Sequence, residues 1–338
     1  MTRPLEPLQP VAVLGSGGWG TALAVHLGRL GKPVRLWGRN RSLVAEMVAE
    51  QENRSYLPGI KLPELVQPTN FLESALDGAR CVVCAVPSHG TRDVLMSAAT
   101  KIDEHAVIVS ATKGLEVRSL LRMTQVIEEE LGSGHEVTVL SGPSFSKELA
   151  AELPTAVCVA GRTELTVQAV QQEFRSHSFR LYGTEDVVGV EIGGAMKNVI
   201  AIAAGVVESL ELGQNALSAL ITRGLVEISR LAEAVGGKRE TLSGLSGLGD
   251  LVLTCTGALS RNRSLGLELG RGHQLNEILE GMSTVAEGVR TTGAALELGK
   301  RYGVELPITA QMADVLVGLK QPRAAVEELM LRRQRTEW

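Results

Sequence analysis

The sequence predicts an α/β N-terminal part, a Rossmann-like doubly wound sheet over residues 1–188, followed by an all-α C-terminal domain over residues 189–338. Three observations predict it. Short apolar runs, each closed by glycine or polar turn residues, recur between Val11 and Tyr182, as buried strands of a parallel sheet do. The first of these runs leads straight into a glycine turn and a helix-forming stretch. From about Val187 the strand and turn punctuation stops and long helical patterns begin, Glu191 to Leu210 and then Asn215 to Val235.

The bulk numbers agree with two domains. At ~150 residues per domain, 338 residues make roughly two. A net charge of −4 gives no reason to expect nucleic acid or an anionic membrane as partner. With aromatics at 3%, base-stacking platforms are not expected either. The opening Met-Thr-Arg-Pro-Leu-Glu-Pro has no apolar core of a secretory leader. Val199 to Val207, the longest apolar run of the second half, is far shorter than the ~20 residues of a membrane span. A cytoplasmic chain without stable membrane insertion is the expectation. Cys81 and Cys84 have metal-like spacing but lie in a strand pattern with no second Cys or His pair nearby. Together with Cys158 and Cys255 they read as core cysteines in a reducing compartment, and no metal site is expected.

Val11-Ala-Val-Leu14 is the first strand, and Gly15-Ser-Gly17-Gly18-Trp19-Gly20 follows it directly. Gly15 permits the tight turn, Gly17 lets a pyrophosphate approach the backbone, and Gly20 lets the helix lie close to the strand. A strand, a glycine turn and a helix N-terminus in that order bind a dinucleotide on the positive end of the helix. Lys32 to Gly38 is the second strand and closes a βαβ unit of about 30 residues. The residue just beyond it faces the adenosine ribose, and an acid there selects NAD. Here the stretch is Arg39-Asn40-Arg41. Two cations favour NADP(H) and leave NAD(H) open, the alternative being a solvated surface pair.

Ser42 to Asn53 is helical in pattern, and Ala79 to Pro87 is a continuous apolar strand. Ser88 and His89 follow at its carboxyl end, where His89 is either a catalytic acid or part of the lining of a cofactor groove. Ala106 to Gly114 and Val137 to Glu148 are further strand-to-loop units. The first places Lys113 at a carboxyl strand end. The second places Ser141-Gly142-Pro143-Ser144 before a helix starting near Phe145, whose N–H groups suit an anion. Thr155 to Ala160 and Phe179 to Tyr182 are late strands, with a helix from Glu164 to Ser176 between them.

In the helical half, Gly193, Gly194, Lys197, Ala201, Ala204 and Gly205 share one face of a helix. Apart from the lysine every member is small. Either Lys197 lies in a narrow, dry site, where burial and a second cation lower its pKa, or it snorkels out of a close helix contact. Asp250 follows two glycines and precedes a helical run, so it is an N-cap or a partner of that lysine or of a substrate hydroxyl. Ser260-Arg261-Asn262-Arg263 gathers hydroxyl, guanidinium and amide groups before a helix from Ser264 to Gly270. That grouping is a phosphate-monoester site or a solvated charge cluster. Glu287, in Val285 to Arg290, has no reading from spacing alone.

These motifs, in this order, resemble the bacterial type of NAD(P)-dependent sn-glycerol-3-phosphate dehydrogenase essentially end to end. The carrying stretches are Gly15 to Gly20, Ala111-Thr-Lys-Gly114, Ser141-Gly-Pro-Ser-Phe145, Gly193-Gly-Ala-Met-Lys-Asn198, Gly247 to Thr256, Ser260 to Arg263 and Val285-Ala-Glu-Gly288. The resemblance implies interconversion of dihydroxyacetone phosphate and sn-glycerol 3-phosphate, feeding glycerophospholipid synthesis; the sequence does not fix the oligomer, and the large helical domain makes a homodimer the expectation. It implies Lys197 as the proton acceptor in alcohol oxidation. Around the substrate it implies Lys113, Gly142, Ser144, Asp250, Ser260, Arg261 and Asn262. Its cofactor contacts are Trp19, Arg39, Lys113, Ser146, Arg261, Val285 and Glu287. Two positions depart from common members: Gly18 stands where serine is frequent and Ser146 where alanine is frequent. A β-hydroxyacid dehydrogenase shares the glycine turn and a lysine–asparagine helix but acts on a carboxylate, which Ser260 to Arg263 argues against. A catalytically silent NAD(P)-sensing module would need neither Lys197 nor the phosphate cluster.

Overall fold

The computed structural model describes residues 9–282, 286–334 and 336. Eight strands form one sheet: β1 (Val11–Leu14), β2 (Val34–Trp37), β3 (Val66–Thr69), β4 (Cys81–Cys84), β5 (Val107–Ser110), β6 (Val137–Ser141), β7 (Thr155–Gly161) and β8 (Phe179–Thr184). Their spatial order is β3-β2-β1-β4-β5-β6-β7-β8, parallel throughout except for the antiparallel pair β6–β7. The four residues of β1 and of β4 are buried on both faces, which is why both strands read as unbroken apolar runs. Leu14 pairs with Trp37 on one side and Cys84 on the other, so the carboxyl ends of β1, β2 and β4 line up. Strand order reverses beside β1, and the ligand crevice of such sheets lies at that reversal. Strand β3, absent from the sequence reading, carries Pro68, which hides it from a pattern search. As an edge strand it tolerates the missing N–H.

Several boundaries differ from the sequence reading. The helix expected over Ser42 to Asn53 runs Arg41–Glu50. Asn40 caps it by accepting from the Ser42 and Leu43 amides, and Gln51 ends it in the left-handed region at φ 50. Asn53 is therefore outside the helix and fully buried. Its amide donates to the Ser16 carbonyl and to Thr21 Oγ1, both at 2.8 Å, bracing the glycine turn against the helix behind it. The helix expected from Ser264 starts at Arg261, with Ser260 as its cap.

The chain divides into two compact units. One runs to Thr112 and includes Met123–Val187; the other comprises Lys113–Arg122 and everything from Val188. The division is interleaved, where the sequence suggests a single cut at 188/189. The second unit is built on the Val187–Ser209 helix, buried on all sides from Gly189 to Val207. It has the length and mean hydropathy, 1.5, of a membrane span, yet 89% of that window is buried inside the protein. It is the core helix of the unit. Small residues let a neighbour approach it closely. A Cβ on Gly205 would sit 2.1 Å from the Arg263 carbonyl, and one on Gly266 would sit 2.0 Å from the Ile202 carbonyl. Buried Glu227 closes the unit elsewhere, accepting from the Ile308 and Thr309 amides and the Thr309 hydroxyl at the start of the Pro307–Leu316 helix.

Candidate active site

In the first unit the turn after β1 is shaped for a phosphate. Gly15 has φ 117, and a Cβ there would lie 2.7 Å from the Ala85 carbonyl. A Cβ on Gly20 would meet the Gly15 carbonyl at 1.9 Å. Both positions therefore admit only glycine. Gly17 caps the Gly18–Arg29 helix with no side-chain hydrogen bond, and a Cβ on it would face open space. The first amides of that helix are thus available to an anion. Among the described residues Trp19 Nε1 is buried without a hydrogen-bond partner, a donor that a bound dinucleotide would satisfy. These features fit the pyrophosphate of a nicotinamide dinucleotide.

Around the turn, Gly18 is close-packed, since its Cβ would lie 3.0 Å from the Tyr56 carbonyl and 3.5 Å from Ser146 Oγ. Ser146 opens the short Ser146–Ala150 helix. Arg39 and Arg41 are exposed at the carboxyl end of β2, and among the described residues neither makes a hydrogen bond or ion pair. The intervening Asn40 is used as a helix cap. Gly142 follows β6 at φ 141, where a Cβ would lie 3.0 Å from the Val157 α-carbon, and Ser144 Oγ donates back to the Gly142 carbonyl at 2.8 Å. His89 is exposed as the second residue of the Ser88–Ala98 helix. Cys81 and Cys84 are buried in β4, and desolvation pushes both thiols up to about 12.

In the second unit three sequence-predicted residues meet. Asp250 is fully buried and its carboxylate is shared between two ammonium groups. Lys113 Nζ donates to Oδ2 at 2.7 Å, and Lys197 Nζ donates to Oδ1. Lys197 also donates to Thr254 Oγ1 at 2.9 Å, and that hydroxyl donates to the Asp250 carbonyl. Lys197 is 7% exposed and does not snorkel. Burial lowers its pKa to about 7, helped by the Lys113 charge and opposed by Asp250. Cys255, adjacent and buried, stays a neutral thiol, pushed up to about 12 by desolvation.

Of the roles the sequence leaves open for Asp250, the structure shows the partner of Lys197 and not the N-cap. The five residues before it form a π-helical turn, Leu245–Gly249, and Asp250 is the first residue of the Asp250–Thr256 helix. A Cβ on Gly247 would strike the Leu242 carbonyl at 2.1 Å, so glycine is needed for the turn that aims Asp250 at the lysines. Thr254, one helical turn after Asp250, was not singled out from sequence, although the i,i+4 spacing puts both on one face.

The phosphate-like cluster sits at the start of the Arg261–Gly270 helix. Ser260 caps it, accepting from the Arg263 amide at 3.3 Å. Asn262 is buried. It donates to Asn198 Oδ1 at 2.9 Å and accepts from the Gly288 amide at 3.0 Å, tying the cluster to the residue after Lys197 and to the Glu287–Tyr302 helix. Among the described residues, one amide hydrogen of Asn262 and the main-chain N–H groups of Arg261 and Asn262 remain as donors, the Arg263 amide being taken by Ser260. Asn198 is a second residue that spacing did not identify. Arg263 turns away, held by Glu208 at 2.6 and 2.8 Å, which leaves Arg261 as the cation of the cluster. Much of Arg261 meets solvent, yet desolvation of its guanidinium lowers its pKa, and the Glu287 carboxylate opposes that shift. Val285 lies outside the described residues.

The arrangement can move a proton at a buried lysine beside an anion site built from Arg261 and a helix N-terminus. The family model described as NAD-dependent glycerol-3-phosphate dehydrogenase matches this chain, its N-terminal part over residues 10–166 and its C-terminal part over residues 186–327. The chain is 50% identical over 271 residues to a glycerol-3-phosphate dehydrogenase [NAD(P)+] of Koribacter versatilis, covering 79% of this chain and 80% of that one. A protein of the same name from Thioalkalivibrio sulfidiphilus is 51% identical over 267 residues, with coverage of 79% and 80%. The crystal structure of glycerol-3-phosphate dehydrogenase from Coxiella burnetii superposes with a TM-score of 0.93 at 41% identity, covering 96% of this chain and 99% of that one.

Proposed function

The chain belongs to the NAD-dependent glycerol-3-phosphate dehydrogenase family, and from that premise we propose how its residues divide the work. It is an NAD(P)-dependent oxidoreductase that interconverts dihydroxyacetone phosphate and sn-glycerol 3-phosphate. The buried Lys197 ammonium, held by Asp250 and Thr254, is the observation that carries the proposal. The nicotinamide, when bound, supplies the hydride to the carbonyl carbon or accepts it back. In reduction the carbonyl oxygen develops alkoxide charge, and the Lys197 ammonium gives it a proton. In oxidation neutral Lys197 takes that proton from the hydroxyl. A lysine near its reference of ~10.4 would be a poor acceptor at neutral pH, whereas one at about 7 serves both directions.

Asp250 orients Lys197, and Lys113 adds a second cation toward the developing oxyanion. Arg261, Ser260, Asn262 and the amides at their helix start hold the substrate phosphate. Gly142 and Ser144 are further substrate contacts, and Gly15, Gly17, Gly18, Trp19, Gly20, Arg39, Ser146, Val285 and Glu287 serve the cofactor, as the family resemblance implies. The experiment is NADPH oxidation with dihydroxyacetone phosphate as acceptor. Turnover inhibited by inorganic phosphate, and not by simple carboxylates, is the expected result. Absence of turnover would leave a cofactor-binding protein without this chemistry.

NADP(H) is the favoured cofactor, on the exposed Arg39 at the end of β2. Arg39→Asp should cost NADPH about 10–100-fold in kcat/KM, the worth of one charge-assisted hydrogen bond. NADH should change little, and an unaltered NADPH/NADH ratio would show that Arg39 does not read the 2′-phosphate. We read the product as a precursor for glycerophospholipid synthesis, the compartment as cytoplasmic in keeping with four free cysteines, and the assembly as a homodimer. Sedimentation equilibrium decides the last point.

A further inference from the structure

The second unit contains a buried ion pair that the chemistry above does not use. Arg122 Nη1 lies 2.5 Å from Glu191 Oε2, with side chains 16% and 3% exposed. Glu191 is on the central Val187–Ser209 helix, six residues before Lys197. Arg122 ends the Lys113–Arg122 strap, the stretch between β5 and the Met123–Leu131 helix that packs with the helical unit. Lys113 starts it.

The strap folds back on itself. Leu115 pairs antiparallel with Arg122, the Glu116 amide donates to the Leu121 carbonyl at 2.9 Å, and the Leu120 amide donates to the Glu116 carbonyl at 2.8 Å. Arg122 is thereby placed across from Leu115, two residues from Lys113. Leu115 and Leu120 are buried in the helical core. Leu120 holds φ 65, a conformation that a leucine adopts at a cost, so the surroundings over-determine this fold-back.

We propose that the Arg122–Glu191 pair is a positioning device for the reaction: it pins the strap to the central helix and so seats the Lys113 ammonium on Asp250. This rests on the reading of Lys197 as the proton-transfer group. Apolar packing of Leu115 and Leu120 fixes depth but not direction, whereas a planar guanidinium on a buried carboxylate fixes both. Desolvation offsets much of the attraction in a buried pair, so net stability is weak reason for its presence, and the role proposed for it is to fix one arrangement.

The consequence is readable at Lys197. The charged groups that bear on its ammonium are Asp250, which favours the charged form, and Lys113, which opposes it, with the Cys255 thiol neutral beside them. A strap that lets Lys113 drift removes the opposing cation, so the Lys197 pKa rises. Glu191→Gln keeps the side-chain shape and loses the charge. Its kcat/KM for dihydroxyacetone phosphate reduction should fall off with pH roughly half a unit to one unit higher than in the wild type. Lys113→Ala should show the same displacement, and the double variant no more than either single one. Arg122→Lys, which keeps the charge, should retain most of the wild-type profile. Should Glu191→Gln not fold, Arg122→Gln carries the same expectation.

Hydrogen exchange reads the strap directly: the Glu116 and Leu120 amides should exchange at least about tenfold faster in Glu191→Gln than in wild type. An unmoved pH limb in Glu191→Gln, a displacement additive with that of Lys113→Ala, or unchanged amide protection overturns the proposal. A wild type with no limb at all overturns the Lys197 reading instead.

Discussion

Lys197→Ala is expected to lower kcat for dihydroxyacetone phosphate reduction by about 10²–10⁴-fold, the usual worth of general acid–base help. NADPH affinity should remain close to wild type, because the glycine turn that meets the pyrophosphate belongs to the other compact unit. Removal of the side chain leaves Asp250 paired with Lys113, so no carboxylate is left buried without a cation. The loss is therefore chemical rather than a collapse of the site. Lys197→Met, which keeps most of the volume against the strip of small residues, separates the lost proton from lost packing. Both variants should be equally slow, and a full-rate alanine variant would remove Lys197 from the mechanism.

Asp250→Asn should have the second largest effect, on both stability and rate. The carboxylate is fully buried between two ammonium groups, and an amide of the same shape leaves those cations facing each other without compensation. Breaking a buried pair in this way costs about 3–5 kcal/mol, which a denaturant midpoint would register. The sign of the kinetic effect also follows. Asp250 is the group that holds the Lys197 pKa up against burial, so without it the ammonium loses its proton at lower pH. The pH at which reduction falls off should move down, the opposite direction from Glu191→Gln, and kcat at pH 7 should drop at least about a hundredfold. An Asp250→Asn enzyme with an unmoved profile would show that the carboxylate does not govern the lysine.

Much of this was legible along the chain wherever the deciding contacts are local. The glycine turn could be read because strand, turn and helix are contiguous, and the clash of a Cβ on Gly20 with the Gly15 carbonyl follows from that geometry, whereas the Gly15 contact with Ala85 is made by a distant strand end. Lys197 stood out because the face around it is so small. Of the two alternatives for that face, the lysine stays buried and does not snorkel, although Gly205 does serve a close helix crossing. Residues whose roles depend on distant partners could not be read. Asp250 stayed open between a cap and a partner of the lysine, because two glycines precede it and that lysine lies 53 residues away. Arg263 looked like part of an anion site until Glu208, 55 residues earlier, claimed it. The Lys113–Arg122 strap has too short a pattern to announce that it packs with the helices, since Leu115 and Leu120 are its buried apolar anchors and its two ion pairs reach residues far along the chain. Thr254 is the exception, a residue that i,i+4 spacing from Asp250 would have exposed.

The pH dependence of kcat/KM in both directions tests the central claim most directly. For dihydroxyacetone phosphate reduction it should fall as pH rises through about 7, because the ammonium of Lys197 must carry the proton. For sn-glycerol 3-phosphate oxidation it should rise through the same value, and Lys197→Ala should lack the shared limb in both directions. Profiles in the two directions without a common inflection near 7, or an inflection that survives in Lys197→Ala, would contradict the assignment of this lysine as the proton-transfer group.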